Sequence, residues 1–407
     1  MLTCRFCKSP LHHKMIDLGH QPPSNAFLSA DTLTQPEMTY PLAAYVCEAC
    51  WLVQLPDHGA TGALFGPDYA YFSSTSQSWL AHAKHYADAA YGRFGLNDES
   101  LVIEAASNDG YLLQYFAAAG CRTLGVEPTA STAAAARAKG IETVELFLGT
   151  GTGEALAEEY GRADLVVANN VLAHVPDPAD FAAGIAALLA PDGVATVEFP
   201  HLMRLVSGLQ FDTIYHEHFS YLSLLSAEAI MKSAGLAIFD VDELPTHGGS
   251  LRLYLCHAGA QAENPSVEAM RQTERDASLH TLSYYCGLQA QAETVKNALV
   301  AWLLEAKAKG KRVAGYGAAA KGNTLLNFAG IRSDLVAFVC DAAPSKQGLF
   351  LPGSHISIHA PDKLDQDAVD DVLILPWNIA DEVRASLPQV TARGGRFVTA
   401  IPELRFS

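Results

Sequence analysis

Residues 101–120 read LVIEAASNDGYLLQYFAAAG and decide the fold of the central part of the chain. The apolar run LVIEA predicts a buried strand, SNDG a turn, and the rest a helix. A strand followed by a helix is predicted twice more, from CRTLGVEP (121–128) with the Ala-rich helix after it, and from ADLVVANNVLAHV (163–175) with DFAAGIAALLA (180–190). A further strand, GVATVEF (193–199), follows. Strands that alternate with helices predict a doubly wound, mostly parallel α/β sheet, which binds its ligands at the carboxyl ends of the strands.

The turn after the first of these strands is suited to a ligand. Glu104 lies at the end of the strand, and Gly110 permits close approach of backbone amides. Glu127 ends the second strand, where a carboxylate can accept both hydroxyls of a ribose. Such a carboxylate serves nicotinamide and S-adenosylmethionine (SAM) sites alike, but the loop lacks G-x-G-x-x-G, which argues against nicotinamide. An ordinary turn with a surface glutamate is the alternative.

Two C-x2-C pairs near the start form a second motif. Cys4 and Cys7 lie in CRFC, and Cys47 and Cys50 in CEAC. Each pair turns the chain so that both thiolates face one point, which suits a tetrahedral Zn²⁺. Four sulfur ligands close the coordination sphere, so we expect a structural zinc rather than a catalytic one. Two disulfides or unpaired thiols are the alternative, which a cytoplasmic location disfavours.

Composition limits the possible partners. The chain has 407 residues, more than the about 250 to 300 at which a single core stops growing, so two or three domains are expected. A net charge of −17 argues against nucleic-acid and anionic-membrane partners, because both would be repelled. The start MLTCRFCKSP lacks the apolar stretch of a signal peptide, and the Ala-rich run after Phe181 is interrupted by Pro191 and Asp192. We therefore expect a soluble cytoplasmic protein.

The C-terminal part predicts a second α/β unit. Residues 264–309, rich in Ala, Glu and Gln, predict a long helical connection. KGKRVAGYGAAAKGNTLLNFAG (309–330) then predicts a strand, a glycine-rich turn and a helix, in the same order as residues 101–120. Gly315, Gly317 and Lys321 resemble a phosphate cradle in which helix amides and Lys321 meet a pyrophosphate, although a plain tight turn is the alternative.

Two further segments carry polar groups suited to chemistry. FDTIYHEHFSY (211–221) brings Tyr215, His216, Glu217 and His218 together, a density typical of proton-transfer sites, although a hydrogen-bonded core network or an incidental metal site is also compatible. HGGSLR (247–252) either contacts a ligand, with its arginine gripping a phosphate, or is a hairpin turn.

Taken together, the ordered segments resemble the sugar-nucleotide C-methyltransferases, the family that methylates C3 of a dTDP-4-keto-6-deoxyhexose with SAM. The resemblance runs over essentially the whole chain, through the two CxxC pairs, SNDG, GVEPT, NNVLAHVPD, EFPHL, FDTIYHEHFSY, HGGSLR, GYGAAAKGN, LPWNIADEV and AIPEL. It implies an N-terminal zinc-binding module, a central Rossmann-like SAM methyltransferase domain and a C-terminal Rossmann-like α/β domain, with the sugar nucleotide bound between them. In one departure, the family usually has Gly where this chain has Ala106, whose Cβ would crowd the methionine or ribose of SAM.

We place these domains at residues 1–72, 73–262 and 263–407. The predicted site residues fall into four groups. They are, for the metal, Cys4, Cys7, Cys47 and Cys50; for SAM, Glu104, Ala106, Asn108, Gly110, Glu127, Asn169 and Asn170; for the substrate, Tyr69, Tyr71, His247, Arg252 and Lys321; and for catalysis, His218, Glu217, Tyr215 and His174.

The chemistry needs a base and a group that holds an oxyanion. A 4-keto group acidifies the neighbouring C–H, so one base generates an enolate whose carbon attacks the methyl group of SAM. His218 is the predicted base, as the resemblance also implies, with Glu217 setting its tautomer and pKa or sharing the role. Tyr215 is expected to donate a hydrogen bond to the enolate oxygen and His174 to position the sugar, whereas His216 is interpreted as structural.

The predicted function is SAM-dependent C-methylation of a dTDP-linked 4-keto-6-deoxy sugar at C3, in deoxysugar biosynthesis. The sequence leaves the oligomeric state open, with a monomer favoured. A non-catalytic relative that binds a sugar nucleotide is one alternative, which Ala106 makes conceivable. C5-methylation is another, and O-methylation is disfavoured because the tyrosine, glutamate and histidine cluster matches the enolising family.

Overall fold

The computed structural model describes residues 2–57 and 72–407. Tyr69 and Tyr71, both predicted to contact substrate, lie outside the described residues. The described strands are β1 (His13–Gln21), β2 (Tyr40–Val46), β3 (Val53–Gln54), β4 (Leu101–Ala105), β5 (Arg122–Val126), β6 (Thr143–Val144), β7 (Ala163–Asn169), β8 (Leu189–Pro200), β9 (Ser220–Tyr221), β10 (Leu236–Leu244), β11 (Ser250–His257), β12 (Val313–Tyr316), β13 (Val339–Cys340), β14 (Ile358–His359), β15 (Asp371–Ile374), β16 (Arg396–Thr399) and β17 (Arg405–Phe406).

Helices surround these strands. The described α-helices are α1 (Gln77–Arg93), α2 (Leu113–Ala118), α3 (Ala130–Ala138), α4 (Thr150–Tyr160), α5 (Pro178–Leu188), α6 (Leu202–Ser207), α7 (Leu224–Ser233), α8 (Pro265–Asp276), α9 (Leu282–Tyr285), α10 (Leu288–Ala308), α11 (Ala320–Phe328), α12 (Lys363–Gln366), α13 (Ala380–Ser386) and α14 (Pro388–Ala392). None of the described helices is long and apolar enough to cross a membrane.

The central sheet has the strand order β10-β11-β8-β7-β4-β5-β6. All neighbours are parallel except where β11 runs antiparallel to β8 and β10. Strand β4 reads as a continuous apolar run because both of its faces are covered: Ile103 packs with the core under α4, α5 and α7, and Val102 with the core under α1 and α2. The predicted doubly wound sheet is confirmed. Its order reverses between β4 and β7, where such sheets bind ligands.

The C-terminal sheet repeats this architecture with the order β14-β13-β12-β15-β16-β17, parallel except for β17. The predicted C-terminal Rossmann-like unit is thereby confirmed. The helical connection before it is divided into α8, α9 and α10 rather than continuous. Ser278 and Gly287, with φ of 65° and 95°, take left-handed backbone conformations that interrupt it.

The N-terminal sheet is antiparallel and has the order β1-β2-β3-β9. Its edge strand β9 comes from the middle of the chain and pairs Ser220 with Gln54 and Tyr221 with Val53. One hydrophobic cluster continues from this sheet through Phe211 and Ile214 to α10 and the C-terminal sheet. Residues 211–221 therefore lie buried where the three units meet.

Candidate active site

The four predicted metal ligands converge in the N-terminal unit. Their Sγ atoms all lie within 4.8 Å of one another, with Cys4 to Cys50 at 3.6 Å and Cys7 to Cys47 at 3.5 Å. Sulfurs about 2.3 Å from a central Zn²⁺ form a tetrahedron with edges of about 3.8 Å, so this donor set fits zinc. None of the cysteines in the described chain forms a disulfide. A zinc held here would have a closed shell of four thiolates and would act as a cross-link.

The two knuckles share one local geometry. In each, the residue after the second cysteine donates its N–H to the carbonyl of the first: Lys8 to Cys4 at 3.0 Å and Trp51 to Cys47 at 2.8 Å. Both donors have positive φ, 63° and 60°. These tight turns bring each thiolate pair to one side of the backbone.

The predicted SAM turn lies at the carboxyl end of β4, on the switch point of the central sheet. Ala106 and Asn108 have φ of 55° and 50°. A left-handed conformation costs a residue with a Cβ about 1 to 2 kcal/mol, and glycine escapes this cost. The departure at Ala106 therefore acts on the backbone of the turn, in addition to the crowding expected from its Cβ.

Glu127 braces this turn from the end of β5. One carboxylate oxygen accepts the N–H of Asn108 at 2.9 Å, and the other accepts the N–H of Thr129 at 2.9 Å. Each carboxylate oxygen has two lone pairs, so one on each remains for a ligand hydroxyl. The predicted ribose acceptor is thus a buried and already oriented group.

Three more predicted SAM residues present buried polar atoms at the same edge. Neither side-chain polar atom of Asn170, nor Oδ1 of Asn169, has a hydrogen-bond partner among the described residues, and the buried Glu104 carboxylate lies beside the Tyr111 hydroxyl. Burial raises the pKa of Glu104 well above its ordinary value. Buried polar groups are normally paired, so a cluster of open ones at a strand end indicates a ligand site. Their donors and acceptors suit the ammonium, carboxylate and hydroxyls of SAM.

The predicted base His218 is fixed through both ring nitrogens. Its Nδ1 is 3.0 Å from the carbonyl oxygen of Thr213, and its Nε2 is 2.7 Å from the hydroxyl oxygen of Tyr215. A carbonyl only accepts, so Nδ1 carries the proton, and Nε2 accepts a hydrogen bond from the Tyr215 hydroxyl. Burial, followed by the neighbouring His174, lowers the pKa of His218 well below its ordinary value.

His174 meets His218 although the two lie far apart in sequence. Their ring centroids are 4.7 Å apart, edge to face. Nδ1 of His174 donates to the backbone carbonyl of Glu217 at 2.8 Å, and burial lowers the pKa of His174 to about 4. Both imidazoles are therefore neutral at pH 7.

One of the two roles predicted for Glu217, setting the tautomer of His218, needs correction. Its carboxylate accepts a hydrogen bond from the Asn25 side chain at 3.2 Å, and it does not set the tautomer of His218, which the Thr213 carbonyl does. The reason is local: residues 216 and 217 form a turn, so neighbouring side chains diverge. His216 points toward Tyr40, whose carbonyl lies 3.3 Å from its Nε2.

Arg252 is the second correction. It lies on β11 directly opposite Glu198 of β8, and the two form a buried ion pair at 2.5 Å. Burial opposes ionisation of Glu198, but hydrogen bonding from His82 and the charge of Arg252 lower its pKa to about 2. The guanidinium also covers the ring of Tyr86 at 4.3 Å. An arginine engaged in this way is not available to grip a phosphate.

His247 and Lys321 reach the active-site region from two different units. His247 lies in the turn between β10 and β11, so the HGGS segment is a hairpin turn, and burial lowers its pKa to about 4. Lys321, at the start of α11, donates to Asn378 at 2.6 Å and lies 4.7 Å from the ring centre of Trp377. Its charge acts on both His218 and His247. Of the predicted cradle amides, that of Ala318 is already taken by Asp341 at 2.7 Å.

Sequence reasoning missed Asp212 and Trp377. Asp212 is fully buried, and its Oδ2 accepts the indole N–H of Trp377 at 2.8 Å. Burial raises the pKa of Asp212 to about 6. Asp212 lies in FDTIYHEHFSY and Trp377 in LPWNIADEV, so both motifs were visible, but nothing in the sequence links them.

Comparison with known families divides the chain in the same order as the fold. Residues 4–65 match a family model described as "Putative zinc binding domain", residues 79–241 one described as "Methyltransferase domain", and residues 245–402 one described as "C-methyltransferase C-terminal domain". Together with the four-cysteine cluster and the ligand site of the central sheet, these matches define a SAM-dependent methyltransferase with a zinc-binding N-terminal module.

One relative makes the assignment more specific. The chain is 36% identical over 403 residues to the C-methyltransferase NovU of Streptomyces niveus, which covers 99% of this chain and 96% of the relative. The chain belongs to the C-methyltransferase family, as the sequence motifs predict.

Two solved methyltransferase structures each match less than half of the chain. Magnesium protoporphyrin IX methyltransferase of Synechocystis PCC 6803 with bound SAH is 15% identical with a TM-score of 0.36, over 44% of this chain and 83% of that chain. A SAM-dependent methyltransferase of Clostridium acetobutylicum is 10% identical with a TM-score of 0.36, over 44% of this chain and 92% of that chain. Similarity at this level identifies neither substrate nor site residues.

Protein purified without added metal is expected to contain about one zinc per chain, because four thiolates form a closed structural site. Elemental analysis checks this. Cys47→Ser should lose most of the metal, whereas Cys286→Ser, which alters an exposed cysteine outside the cluster, should keep it. Metal-free folded protein, or a disulfide among the four ligands in reduced protein, would contradict the assignment.

The half-buried, neutral His174 should make stability depend on pH. Its pKa is about 4 in the folded chain and 6.5 when exposed, so the unfolded state binds more protons between these values and stability falls as the pH drops. From pH 7 to pH 5 this one group should cost about 2 kcal/mol of unfolding free energy. In His174→Gln this contribution to the change in unfolding free energy between pH 7 and pH 5 should vanish, as measured by urea unfolding at both pH values. His85→Gln, at an exposed position on α1, should keep the wild-type change, and an unchanged value in His174→Gln would refute the assignment.

Proposed function

We propose that the protein transfers a methyl group from SAM to the carbon next to the keto group of a nucleotide-linked 4-keto-6-deoxy sugar, at C3, through a base-generated enolate. The observation that carries this proposal is the half-buried pair of neutral histidines, with Nε2 of His218 and the hydroxyl of Tyr215 at one point. The identity of the sugar and the C3 position rest on the resemblance of the motifs to the sugar-nucleotide enzymes.

His218 supplies the base. With its proton held on Nδ1 by Thr213, the ring can accept a proton only at Nε2, where the Tyr215 hydroxyl now lies. The C–H bond next to the keto group breaks, its proton goes to Nε2, and its electron pair forms the enolate C=C as the carbonyl oxygen becomes an oxyanion. When Nε2 takes that proton, the Tyr215 hydroxyl is released and can donate to the new oxyanion.

The low pKa of His218 fits this role in a specific way. A base must be unprotonated before reaction, and burial keeps this ring neutral well below pH 7. Once protonated, the imidazolium lies near an oxyanion that compensates its charge. The charge of Lys321, which disfavours protonation of the free ring, also favours the oxyanion.

The methyl donor fits at the switch point of the central sheet. Bound there, SAM would supply an electrophilic methyl group. Glu127 would hold the ribose hydroxyls, and Asn169 and Asn170 would satisfy remaining polar groups with the atoms they leave open. His174 lies directly beyond β7, next to this edge, so it can hold the sugar where the carbon nucleophile meets the methyl group.

The sugar nucleotide is proposed to lie between the central and C-terminal units. Lys321 extends from α11 toward the same cleft as His247, and burial lowers the pKa of its ammonium against the opposing charge of Asp212. A partly desolvated cation facing the histidines favours an anionic partner such as a diphosphate or an enolate.

SAM binding tests the donor site. Glu127→Ala should weaken SAM binding by about 1.5 to 3 kcal/mol, the usual contribution of hydrogen bonds to a charged group. Isothermal titration calorimetry checks this, with Glu142→Ala, at an exposed position before β6, as the control. Ala106→Gly should bind equally or more tightly, because glycine relieves the left-handed backbone. Unchanged affinity in Glu127→Ala would move the ribose elsewhere, and a marked loss in Ala106→Gly would overturn the account of that turn.

Deuterium exchange separates proton removal from methyl transfer. Wild-type enzyme with a dTDP-4-keto-6-deoxyhexose and a non-transferring SAM analogue should exchange the hydrogen next to the keto group with D2O. His218→Ala should lose exchange and methylation by about 10²- to 10⁴-fold, the usual contribution of a general base. Glu217→Gln should be milder because that carboxylate contacts Asn25, and the exposed-site control His85→Gln should match wild type.

The outcomes of this experiment distinguish the alternatives. If His218→Ala keeps exchange while Glu217→Gln abolishes it, the base assignment is reversed. Wild-type protein that shows neither exchange nor a methyl mass gain with a range of 4-keto sugar nucleotides would favour the non-catalytic alternative. NMR of the product locates the new methyl group at C3, at C5 or on oxygen.

A further inference from the structure

Arg5 lies inside the first cysteine knuckle, between Cys4 and Cys7, yet its guanidinium forms hydrogen bonds with residues outside the knuckle. One guanidinium nitrogen donates to the carbonyl of Pro176 at 2.7 Å, and another to the carbonyl of Leu55 at 2.8 Å. The guanidinium also lies 4.9 Å from the ring centre of Phe219. One planar group thus contacts three separate segments.

Two of these segments carry the proposed catalytic histidines. Pro176 follows His174 by two residues, and Phe219 directly follows His218. The third segment, at Leu55, is linked directly to the segment of His218, because the N–H of Leu55 donates to the carbonyl of Phe219 at 3.0 Å. The Arg5 side chain therefore spans the distance between the two backbone segments whose histidine rings meet 4.7 Å apart.

Arg5 is itself held by the knuckle. Its backbone N–H donates to Oε1 of Gln54 at 2.7 Å, and Nε2 of the same Gln54 donates to Sγ of Cys4 at 3.1 Å. Gln54 also pairs with Ser220 in the β3–β9 ladder, two residues beyond His218. The position of the metal ligand Cys4 is in this way transmitted to both histidine-bearing segments.

The guanidinium of Arg5 connects backbone segments. The charges of Asp57 and Asp177 act on Arg5, but two hydrogen bonds of its guanidinium go to the backbone carbonyls of Pro176 and Leu55. The guanidinium uses its fixed planar donors on these two backbone carbonyls, a geometry that lysine cannot reproduce. Such a contact fixes backbone separations.

We propose that Arg5 is a positioning residue for His174 and His218, through which the zinc-binding module sets the separation of the two histidines. This inference rests on the proposed function of that pair. Arg5 touches neither reacting group and acts through the backbones on which they are carried.

The test compares Arg5→Met, Arg5→Lys and Arg122→Met in the full-length protein. Arg122 is the matched control, since it is an exposed arginine that also donates to a backbone carbonyl, that of Tyr160, away from the histidines. Zinc content, kcat, KM for SAM and the rate of substrate deuterium exchange are measured with a dTDP-4-keto-6-deoxyhexose as the probe.

Arg5→Met should keep its zinc and a near-wild-type KM for SAM while kcat and the exchange rate fall by about 10- to 100-fold, because displacing a catalytic group by about 1 Å costs rate rather than donor affinity. Arg5→Lys should recover only part of the loss, and Arg122→Met should match wild type. Wild-type kcat and exchange in zinc-loaded Arg5→Met would overturn the inference.

A second variant covers the case in which Arg5→Met loses zinc or fails to fold. Phe219→Leu keeps an apolar side chain but removes the ring under the guanidinium, and it should lower kcat severalfold with zinc retained. Unchanged kcat in both Phe219→Leu and Arg5→Lys would then overturn the inference. If wild-type exchange is absent, or survives in His218→Ala, the proposed function fails instead, and the Arg5 effect is judged on methyl transfer alone.

Discussion

Two half-buried imidazole rings packed edge to face must remain uncharged, and the rest of the site follows from this constraint. A neutral histidine needs one nitrogen as donor and one as acceptor. In both His174 and His218 the donor is Nδ1, and its acceptor is a backbone carbonyl, of Glu217 and Thr213 respectively. The tautomers are therefore set by the path of the main chain, and the lone pair of each Nε2 is kept for other partners. Among the described residues, a backbone carbonyl rather than a side-chain carboxylate accepts the hydrogen bond from each Nδ1.

Because backbone carbonyls set these tautomers, the tautomers depend on the conformation of the loop at residues 211–221, which carries both carbonyls. Residues 211–221 are held from three directions by described contacts. The N-terminal sheet takes up β9, α11 supplies the Thr324 hydroxyl to the carbonyl of Ile214 at 3.1 Å, and Trp377 of the C-terminal unit binds Asp212. No single unit completes the loop. The loop that carries the proposed base is thus held by contacts with all three units, which explains why so short a segment is mostly buried.

The sequence predicted the features that show as a repeating residue pattern, namely the strands and the cysteine pairs. It missed the features that depend on where side chains point in the folded chain. Strands buried on both faces, such as β4, are evident as apolar runs, and the cysteine pairs identify themselves by spacing. Glu217 was assigned to His218 because it is adjacent, but a turn sends the two side chains apart. Arg252 was interpreted as a loop cation, whereas strand register sets it against Glu198 across a sheet whose pairing no sequence displays. The contact of Asp212 with Trp377 joins segments that only the folded chain brings together.

The two strand–turn–helix segments that begin at β4 and β12 look alike in sequence, and their turns are also held by the same kind of hydrogen bond. Asp341, after β13, accepts the N–H groups of Ala318 and Ala343, just as Glu127, after β5, accepts those of Asn108 and Thr129. In both units a carboxylate from the second strand braces the turn after the first. The sequence likeness thus extends to the hydrogen bonds, which favours neither duplication nor convergence over the other.

Strand β9, from the middle of the chain, completes the N-terminal sheet, and this matters for any attempt to move that module to another protein. A graft of residues 1–72 onto another methyltransferase would carry a sheet whose edge strand had been left behind, with the unpaired backbone of β3 exposed to whatever strand it next met. Recombination that keeps a soluble product must move the module together with residues 211–221. The N-terminal sheet is therefore built from residues that are discontinuous along the chain, and a boundary drawn after the cysteines separates two paired strands.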